Sequence, residues 1–212
     1  MTTKPDLSNA YALQGADDCL RLYAGWADSY DSDWAVSMDY RLPAEVAAAL
    51  MRMGTPDGAV LDVGAGTGLM AAALRGLGFQ GPVDAVDLST EMLAVARQKG
   101  LYRALIQADI TRPLPVATRY AAIASSGTFT HGHVGPEALP PLLDATLPGA
   151  SVALSVNAGV WETLGFAAAL DALGPRIRDL QVDEVAIYGD GARQADPAHA
   201  GDRALIVRFH AT

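Results

Sequence analysis

Ala59-Val60-Leu61-Asp62-Val63-Gly64-Ala65-Gly66-Thr67-Gly68 decides how the rest of the chain is read. A short apolar run suits a central parallel strand, because both faces of such a strand are covered. Glycines at alternate positions then let the backbone turn tightly and come close to whatever it faces. The residues that follow, 68–77, read as a helix, and the first N–H groups of a helix have no partner inside it. Strand, glycine turn and helix together open an α/β unit whose turn binds a ligand; a purely structural turn is the alternative. The spacing departs from the dinucleotide pattern Gly-x-Gly-x-x-Gly/Ala, since counting from Gly64 the last slot holds Leu69.

Working outward, the alternation continues downstream. Residues 83–87 read as the next strand. Ser89 is a candidate N-cap for a helix through Lys99, with Glu91 in its first turn and Lys99 in its last, matching the helix dipole. Further strands are expected at 105–107, 120–125, 151–156, 182–188 and 204–209, with helices at 136–146 and 161–173. Upstream, 15–50 reads as helical with a break at 31–33, and its second helix covers 42–53 with Pro43 in the first turn. Gly54-Thr55-Pro56-Asp57-Gly58 ends that helix with turn residues. Strand–helix alternation implies a mostly parallel sheet with helices on both faces. The chain reads as one structural domain, a helical segment 1–54 packed on a core 55–212.

The composition narrows the classes. The chain has 212 residues, half of them apolar and 18% charged, which is enough apolar mass for a globular core. Its net charge of -9 disfavours phosphate backbones and anionic membranes as partners. Cys19 is the lone cysteine, so neither an internal disulfide nor a thiolate zinc site is expected. The first 13 residues lack the apolar core of a secretory signal, and no stretch is apolar for long enough to span a bilayer. The expectation is a soluble cytoplasmic protein, monomer or homodimer, that meets neither nucleic acid nor membrane.

The chemistry sits at the strand ends. Asp87 closes the second strand about twenty residues after the glycine turn, where an acid can accept from both hydroxyls of a ribose. A carboxylate stabilised by the start of the following helix is the plainer reading. Asp109 closes the third strand in Gln107-Ala108-Asp109-Ile110 and could accept from an adenine amino group, with the Ile110 N–H facing the ring. Gly64, Asp87 and Asp109 share one sheet edge, which makes a nucleoside pocket.

The run from Val60 to Asp109 resembles the class I S-adenosylmethionine-dependent methyltransferases, with glycine loop, ribose acid and adenine acid in order. The resemblance implies a seven-stranded sheet whose last strand is antiparallel, S-adenosylmethionine as cofactor and S-adenosylhomocysteine as product. It extends to Tyr23-Ala24-Gly25-Trp26-Ala27-Asp28-Ser29-Tyr30-Asp31, which is similar to an N-terminal lid segment of that superfamily. A narrower likeness, to the Williams–Beuren-region methyltransferase-like proteins, rests on Lys99-Gly100-Leu101-Tyr102 and on the run from Gly127 to Pro136. Pro148-Gly149-Ala150 departs from the usual Pro-Gly-Gly before the fifth strand, a change that costs little. The cofactor-site residues implied are Tyr23, Trp26, Tyr30, Asp62, Gly64, Ala65, Gly66, Gly68, Asp87, Leu88, Met92, Asp109, Ile110 and Ser125.

Because a sulfonium methyl is already electrophilic, catalysis needs mainly in-line positioning and water exclusion, with a base added if the nucleophile carries a proton. His131 and His133, just past the fourth strand, are candidate bases; anchoring of their loop is the alternative. Two histidines on one loop lack an evident third ligand, so no metal is expected. Trp34, Met38, Phe129, Asn157 and Trp161 are candidates for lining a small-molecule acceptor site. A nicotinamide oxidoreductase is disfavoured by Leu69 and Asp109, while a catalytically silent S-adenosylmethionine-binding or partner-binding domain stays open.

Overall fold

The apolar run ahead of the glycine turn forms β1 (Val60–Val63), and all four of its residues are buried. The other strands are β2 (Val83–Asp87), β3 (Ala104–Gln107), β4 (Tyr120–Phe129), β5 (Thr146–Asn157), β6 (Ile177–Ala186) and β7 (Arg203–Ala211). They form one sheet in the order β3-β2-β1-β4-β5-β7-β6. β1 to β5 pair in parallel, and β7 runs antiparallel to both β5 and β6. The sheet is thus the mostly parallel one expected, with its last strand reversed. The computed structural model describes residues 15–27 and 29–212, apart from the side chains of residues 16, 17, 19 and 23. Among the described residues no helix is long and apolar enough to cross a membrane.

Helices cover both faces: α1 (Ala16–Trp26), α2 (Leu42–Arg52), α3 (Leu69–Gly76), α4 (Thr90–Gln98), α5 (Leu139–Asp144), α6 (Ala158–Trp161), α7 (Phe166–Ala172) and α8 (Ala192–Ala195). The alternation of side chains along a strand divides β1 between two layers. Leu61 and Val63 pack with Leu142 and Leu143 of α5 and Phe166 of α7. Val60 packs with Val46 and Leu50 of α2 and Met70 and Leu74 of α3. Each of these side chains contributes roughly 1.5–3 kcal/mol by leaving water, so the two layers together hold the strand ends that carry the site.

Five expectations are corrected. The break placed at 31–33 is a π-helical turn, Tyr30–Ala35, that turns Trp34 inward. The chain changes direction instead at Asp39, with φ 49°, after which Tyr40 bridges Tyr188 in antiparallel fashion. The fourth strand runs past Ser125 to Phe129, because a register shift lets 126–128 bulge while Phe129 pairs with Val156. The helix over 136–146 is a 3-10 turn followed by α5, which stops at Asp144 because Thr146 already pairs with Tyr120. The helix over 161–173 is split into α6 and α7 by Gly165, left-handed at φ 71°. Finally, β6 starts at Ile177 and ends at Ala186, leaving Tyr188 outside the sheet.

Candidate functional site

From β1 the sheet proceeds to β2 on one side and to β4 on the other, so the loops leaving β1 and β4 part at their carboxyl ends and open a crevice. A cleft of about 340 Å³ lies there. The glycine loop forms its floor. Gly64, Gly66 and Gly68 have φ of 64°, 53° and 94°, the left-handed region that glycine enters freely. A side chain would fare differently at each. A Cβ on Gly64 would lie 2.0 Å from Thr128 Oγ1, and one on Gly68 3.0 Å from the Tyr102 ring, but one on Gly66 would meet nothing within 4 Å. Gly66 is therefore where bare backbone faces open space.

Asp87 braces that loop from β2. Its Oδ2 accepts the Gly66 N–H and its Oδ1 the Ser89 N–H, each at 2.8 Å. Burial raises its carboxyl above the usual range, while the backbone donors of Ser89, Gly66 and Leu88 pull it back. Ser89 itself caps α4, accepting from the Met92 N–H at 3.2 Å, so Asp87 lies outside the cap position proper. Asp109 accepts from Thr111 Oγ1 and N at 2.7 and 2.9 Å and pairs with Arg112 at 3.3 Å. The Thr111 donors above all hold it below the usual carboxylate range. A carboxylate offers about four lone-pair sites, so capacity for another donor remains.

Asp62 lies behind the loop. Tyr102 donates to its Oδ2 at 2.6 Å, and burial pushes its pKa from 3.8 to about 7 against that bond, with the Asp87 charge adding to the rise. Next to it, Thr67 donates to Asp31 Oδ1 at 2.5 Å, and Lys99 pairs with the other Asp31 oxygen. Lys99 and Tyr102, at the two ends of one four-residue stretch, thus tie down the N-terminal segment and the acid beneath the loop. On the β4 side, the hydroxyls of Ser125 and Thr128 gather on the Val63 carbonyl at 2.8 and 3.0 Å. The bulge is held open by Gly127, whose N–H donates to Ser155 Oγ at 2.9 Å.

The two histidines separate. His133 Nδ1 lies 2.6 Å from the His131 carbonyl, so Nδ1 carries the proton and Nε2 the lone pair. Burial lowers its pKa below the usual 6.5, with the bond to that carbonyl acting the other way. His133 borders the cleft and also a second recess of about 50 Å³. His131 borders neither; its ring packs where a Cβ on Gly159 would stand, 2.7 Å from Nε2.

That recess is walled by rings from three parts of the chain. Trp34 lies 4.8 Å from Tyr30, 5.0 Å from Tyr40 and 6.0 Å from Tyr188, centre to centre. Trp26, Phe129, Thr130, Ser155 and Asn157 complete much of the wall.

Of the residues read from sequence, Tyr30, Gly64, Ala65, Gly66, Asp87, Leu88, Met92, Asp109, Ile110 and His133 come together around the cleft. Trp26, Trp34, Phe129 and Asn157 surround the recess. Asp62, Gly68 and Ser125 support the loop from behind, where buried bonds and the Tyr102 ring occupy them. Met38 belongs to the core beside α2 and α3, and Trp161 stacks on Phe166 at 5.9 Å against the core and lines neither space. The side chain of Tyr23 lies outside the described residues. Ser126 and Gly127, at the end of the fourth strand where a ligand is expected, also line the cleft; Thr67 and Thr128 line it and were not anticipated, nor were Tyr40 and Tyr188, and for the last two the signal is their pairing across the sheet end, which no local pattern carries.

Residues 60–147 match the family model described as a methyltransferase domain. Human methyltransferase-like protein 27 is 35% identical over 154 residues, which cover 70% of this chain and 61% of that protein. The chain thus spans about three fifths of the length of the curated relative it matches. Among solved structures, a TehB-like SAM-dependent methyltransferase from Corynebacterium glutamicum superposes with TM-score 0.62 at 17% identity, over 90% of this chain and 98% of that one. The [4+2]-cyclase SpnF superposes with TM-score 0.66 at 17% identity, over 94% and 97%. At such identities both likenesses concern the fold.

Proposed function

Because residues 60–147 match a methyltransferase-domain model and human methyltransferase-like protein 27 is 35% identical, we propose that this chain is a class I S-adenosylmethionine-dependent methyltransferase, that its cleft holds S-adenosylmethionine and that it methylates a small molecule seated in the aromatic recess. The observation that carries the reading is Gly66 together with Asp87: bare backbone open to the cleft, joined to an acid at the end of the next strand. The residues fit the cofactor. The cleft's volume of about 340 Å³ falls in the range of ligand sites, and any Cβ on Gly66 would project into it. When bound, the cofactor supplies a methyl group made electrophilic by its sulfonium.

The remaining work belongs to the chain. Asp87 accepts from the ribose hydroxyls and Asp109 from the adenine amino group, with Ile110, Leu88 and Met92 as apolar walls. Tyr30 and Trp26 belong to a lid formed by the N-terminal part of segment 1–54, and Asp31 latches it to Thr67 and Lys99. His133 takes a proton from the acceptor at Nε2, while the His131 carbonyl orients it; His131 is not itself the base. Orientation is worth roughly 7–11 kcal/mol in such reactions, so positioning is the larger part and the base the smaller. The lack of any Lys or Arg among the described lining residues, with the net charge of -9, speaks for a small acceptor over nucleic acid. We place the protein in the cytoplasm, as monomer or homodimer.

The SpnF likeness keeps a second reading in view, since one fold can serve different chemistries: a domain that binds the cofactor without transferring its methyl. Calorimetry with S-adenosylmethionine, S-adenosylhomocysteine and NADH tests the cofactor reading, with micromolar-class affinity expected for the first two and none for the third. Preference for NADH would overturn it. S-adenosylhomocysteine release in an acceptor screen separates enzyme from silent binder.

A further inference from the structure

We propose that Asp62, held by Tyr102 behind the glycine loop, makes the cleft tell the cationic cofactor from its product. This rests on the reading of the cleft as the S-adenosylmethionine site and names a residue that sets its selectivity. Methyl transfer removes the sulfonium charge and leaves the rest of the molecule as it was. Cofactor and product thus differ by one methyl group and one positive charge. Shape separates them little; a buried negative charge in reach separates them well.

The cleft is short of positive charge. Asp87, Asp109 and Glu137 line it, and no Lys or Arg does among the described residues. Asp62 adds a buried carboxylate in β1, two positions before Gly64. Its Oδ2 accepts from Tyr102 at 2.6 Å, while its Oδ1 has no hydrogen-bond partner among the described residues. The charge of Asp87 reaches it, and Asp87 is a cleft residue. A positive charge beside Asp87 therefore acts on Asp62 as well, in the opposite sense.

The groups around Asp62 leave it without a counter-ion. Lys99 is paired with Asp31, which also takes the Thr67 hydroxyl. Burial, then the Asp62 charge, keeps the Tyr102 hydroxyl protonated, so it serves as donor. Asp84 shares the sheet face of Leu61, its pairing partner in β1, and so lies across the sheet from Asp62. Arg103 and Tyr120 bind it there.

Asp62 is also poised. Burial raises its pKa from 3.8 to about 7, against the pull of the Tyr102 bond and with a push from Asp87. A nearby positive charge favours the carboxylate form. Asp62 thus gives its proton to water when the sulfonium enters, and takes one back once the charge has left with the methyl group. By linkage, affinity for the cofactor rises as pH rises through about 7, and affinity for the product rises less. Proton uptake then favours product release. Tyr102 acts through Asp62, as a positioning residue.

The test uses the full chain. S-adenosylmethionine and S-adenosylhomocysteine are each titrated by calorimetry from pH 5.5 to 8, in two buffers of different ionisation enthalpy, which counts the protons exchanged. The affinity ratio of cofactor to product should rise by at least about threefold across that range. Near pH 7 the cofactor should release more protons than the product does. In Asp62→Asn both effects should vanish, since the ionisations of the ligands, Asp87 and His133 are common to both proteins and cancel. Tyr102→Phe removes a bond that favours the carboxylate, so the midpoint of the rise should move to higher pH. A merely structural Tyr102 would lower the melting temperature and leave the midpoint in place. Equal proton counts for the two ligands, or a ratio with the same pH dependence in parent and Asp62→Asn, would overturn the proposal. The proton count needs no variant, so it decides even where a variant fails to fold. Failure to bind either ligand would instead overturn the reading of the cleft.

Discussion

Replacing Asp62 by Asn should stabilise the protein at pH 8 and leave it nearly unchanged at pH 4. Asp62 is 1% exposed. Tyr102 supplies one hydrogen bond, to Oδ2, and Oδ1 makes none among the described residues, with the Ala71 N–H pulling on the group only weakly. Burial therefore dominates and lifts the pKa from 3.8 to about 7. The folded state thus holds the Asp62 proton more tightly than the unfolded state. Below about pH 3.8 both states are protonated and nothing is lost. Between there and pH 7 the unfolded state ionises first, so stability falls as pH rises; above pH 7 the full cost is present and flat. At about 1.4 kcal/mol per pH unit, that span amounts to a cost on the order of 4 kcal/mol.

Asn removes the charge and keeps an oxygen for the Tyr102 hydroxyl. The gain in Tm at pH 8 should be on the order of 10 °C for a chain of this size. Thermal and urea melts of both proteins from pH 4 to 8 give the difference directly, and groups common to both cancel. A variant-minus-parent difference that stays constant across that range would mean that Asp62 titrates as an ordinary carboxylate, and the argument from burial would be wrong. If Asp62 also serves the bound cofactor, as the family resemblance implies, the stabilised variant should bind it less tightly, a trade common at functional sites.

Gly64→Ala should destabilise the fold, because its Cβ would collide with Thr128, whereas Gly66→Ala should cost only about 1–2 kcal/mol of left-handed strain yet weaken cofactor binding; melts and calorimetry on both variants distinguish the two. Asp87→Asn should weaken cofactor affinity by about 1.5–3 kcal/mol if the acid meets the ribose, and unchanged affinity in a folded variant would leave it as a brace for the Gly66 and Ser89 N–H groups. Lys99→Met should raise hydrogen exchange at residues 30–35 in the apo protein, by freeing Asp31, and equal protection would count against a latch. With an acceptor in hand, turnover should fall as pH drops through a value below 6.5, because burial depresses the His133 pKa and protonation removes the base; an acidic limb that survives in His133→Gln would show that another group is responsible.

The parts legible in the sequence are those set by local chemistry. The glycine turn, the apolar runs on either side of it and the cap at Ser89 each state their conformation in a few neighbouring residues, and they locate the floor of the cleft. What the sequence does not carry is the pairing of distant backbones. The 126–128 bulge exists because Phe129 must reach register with Val156, and Gly127 reads the same in a loop as in a strand. The polar run from Asp31 to Asp33 reads as a break because its partners, Thr67 and Lys99, are far along the chain. The histidines are alike in sequence; their difference is one hydrogen bond to a backbone carbonyl.

The same geometry explains why the N-terminal segment matters to both spaces. Tyr30 borders the cleft and the recess, and the next residue, Asp31, is bonded to the glycine loop through Thr67 and to the end of α4 through Lys99. Three residues beyond Lys99, Tyr102 reaches Asp62 and lies against Gly68. The turn at 99–102 therefore touches the lid with one residue and the loop with another. Moving this segment away would break a half-buried charged pair and a hydroxyl bond from buried Thr67, while the loop below keeps its bond to Asp87. On the reading of this segment as a lid, its attachment through Asp31 would let it open while Asp87 still braces the glycine loop.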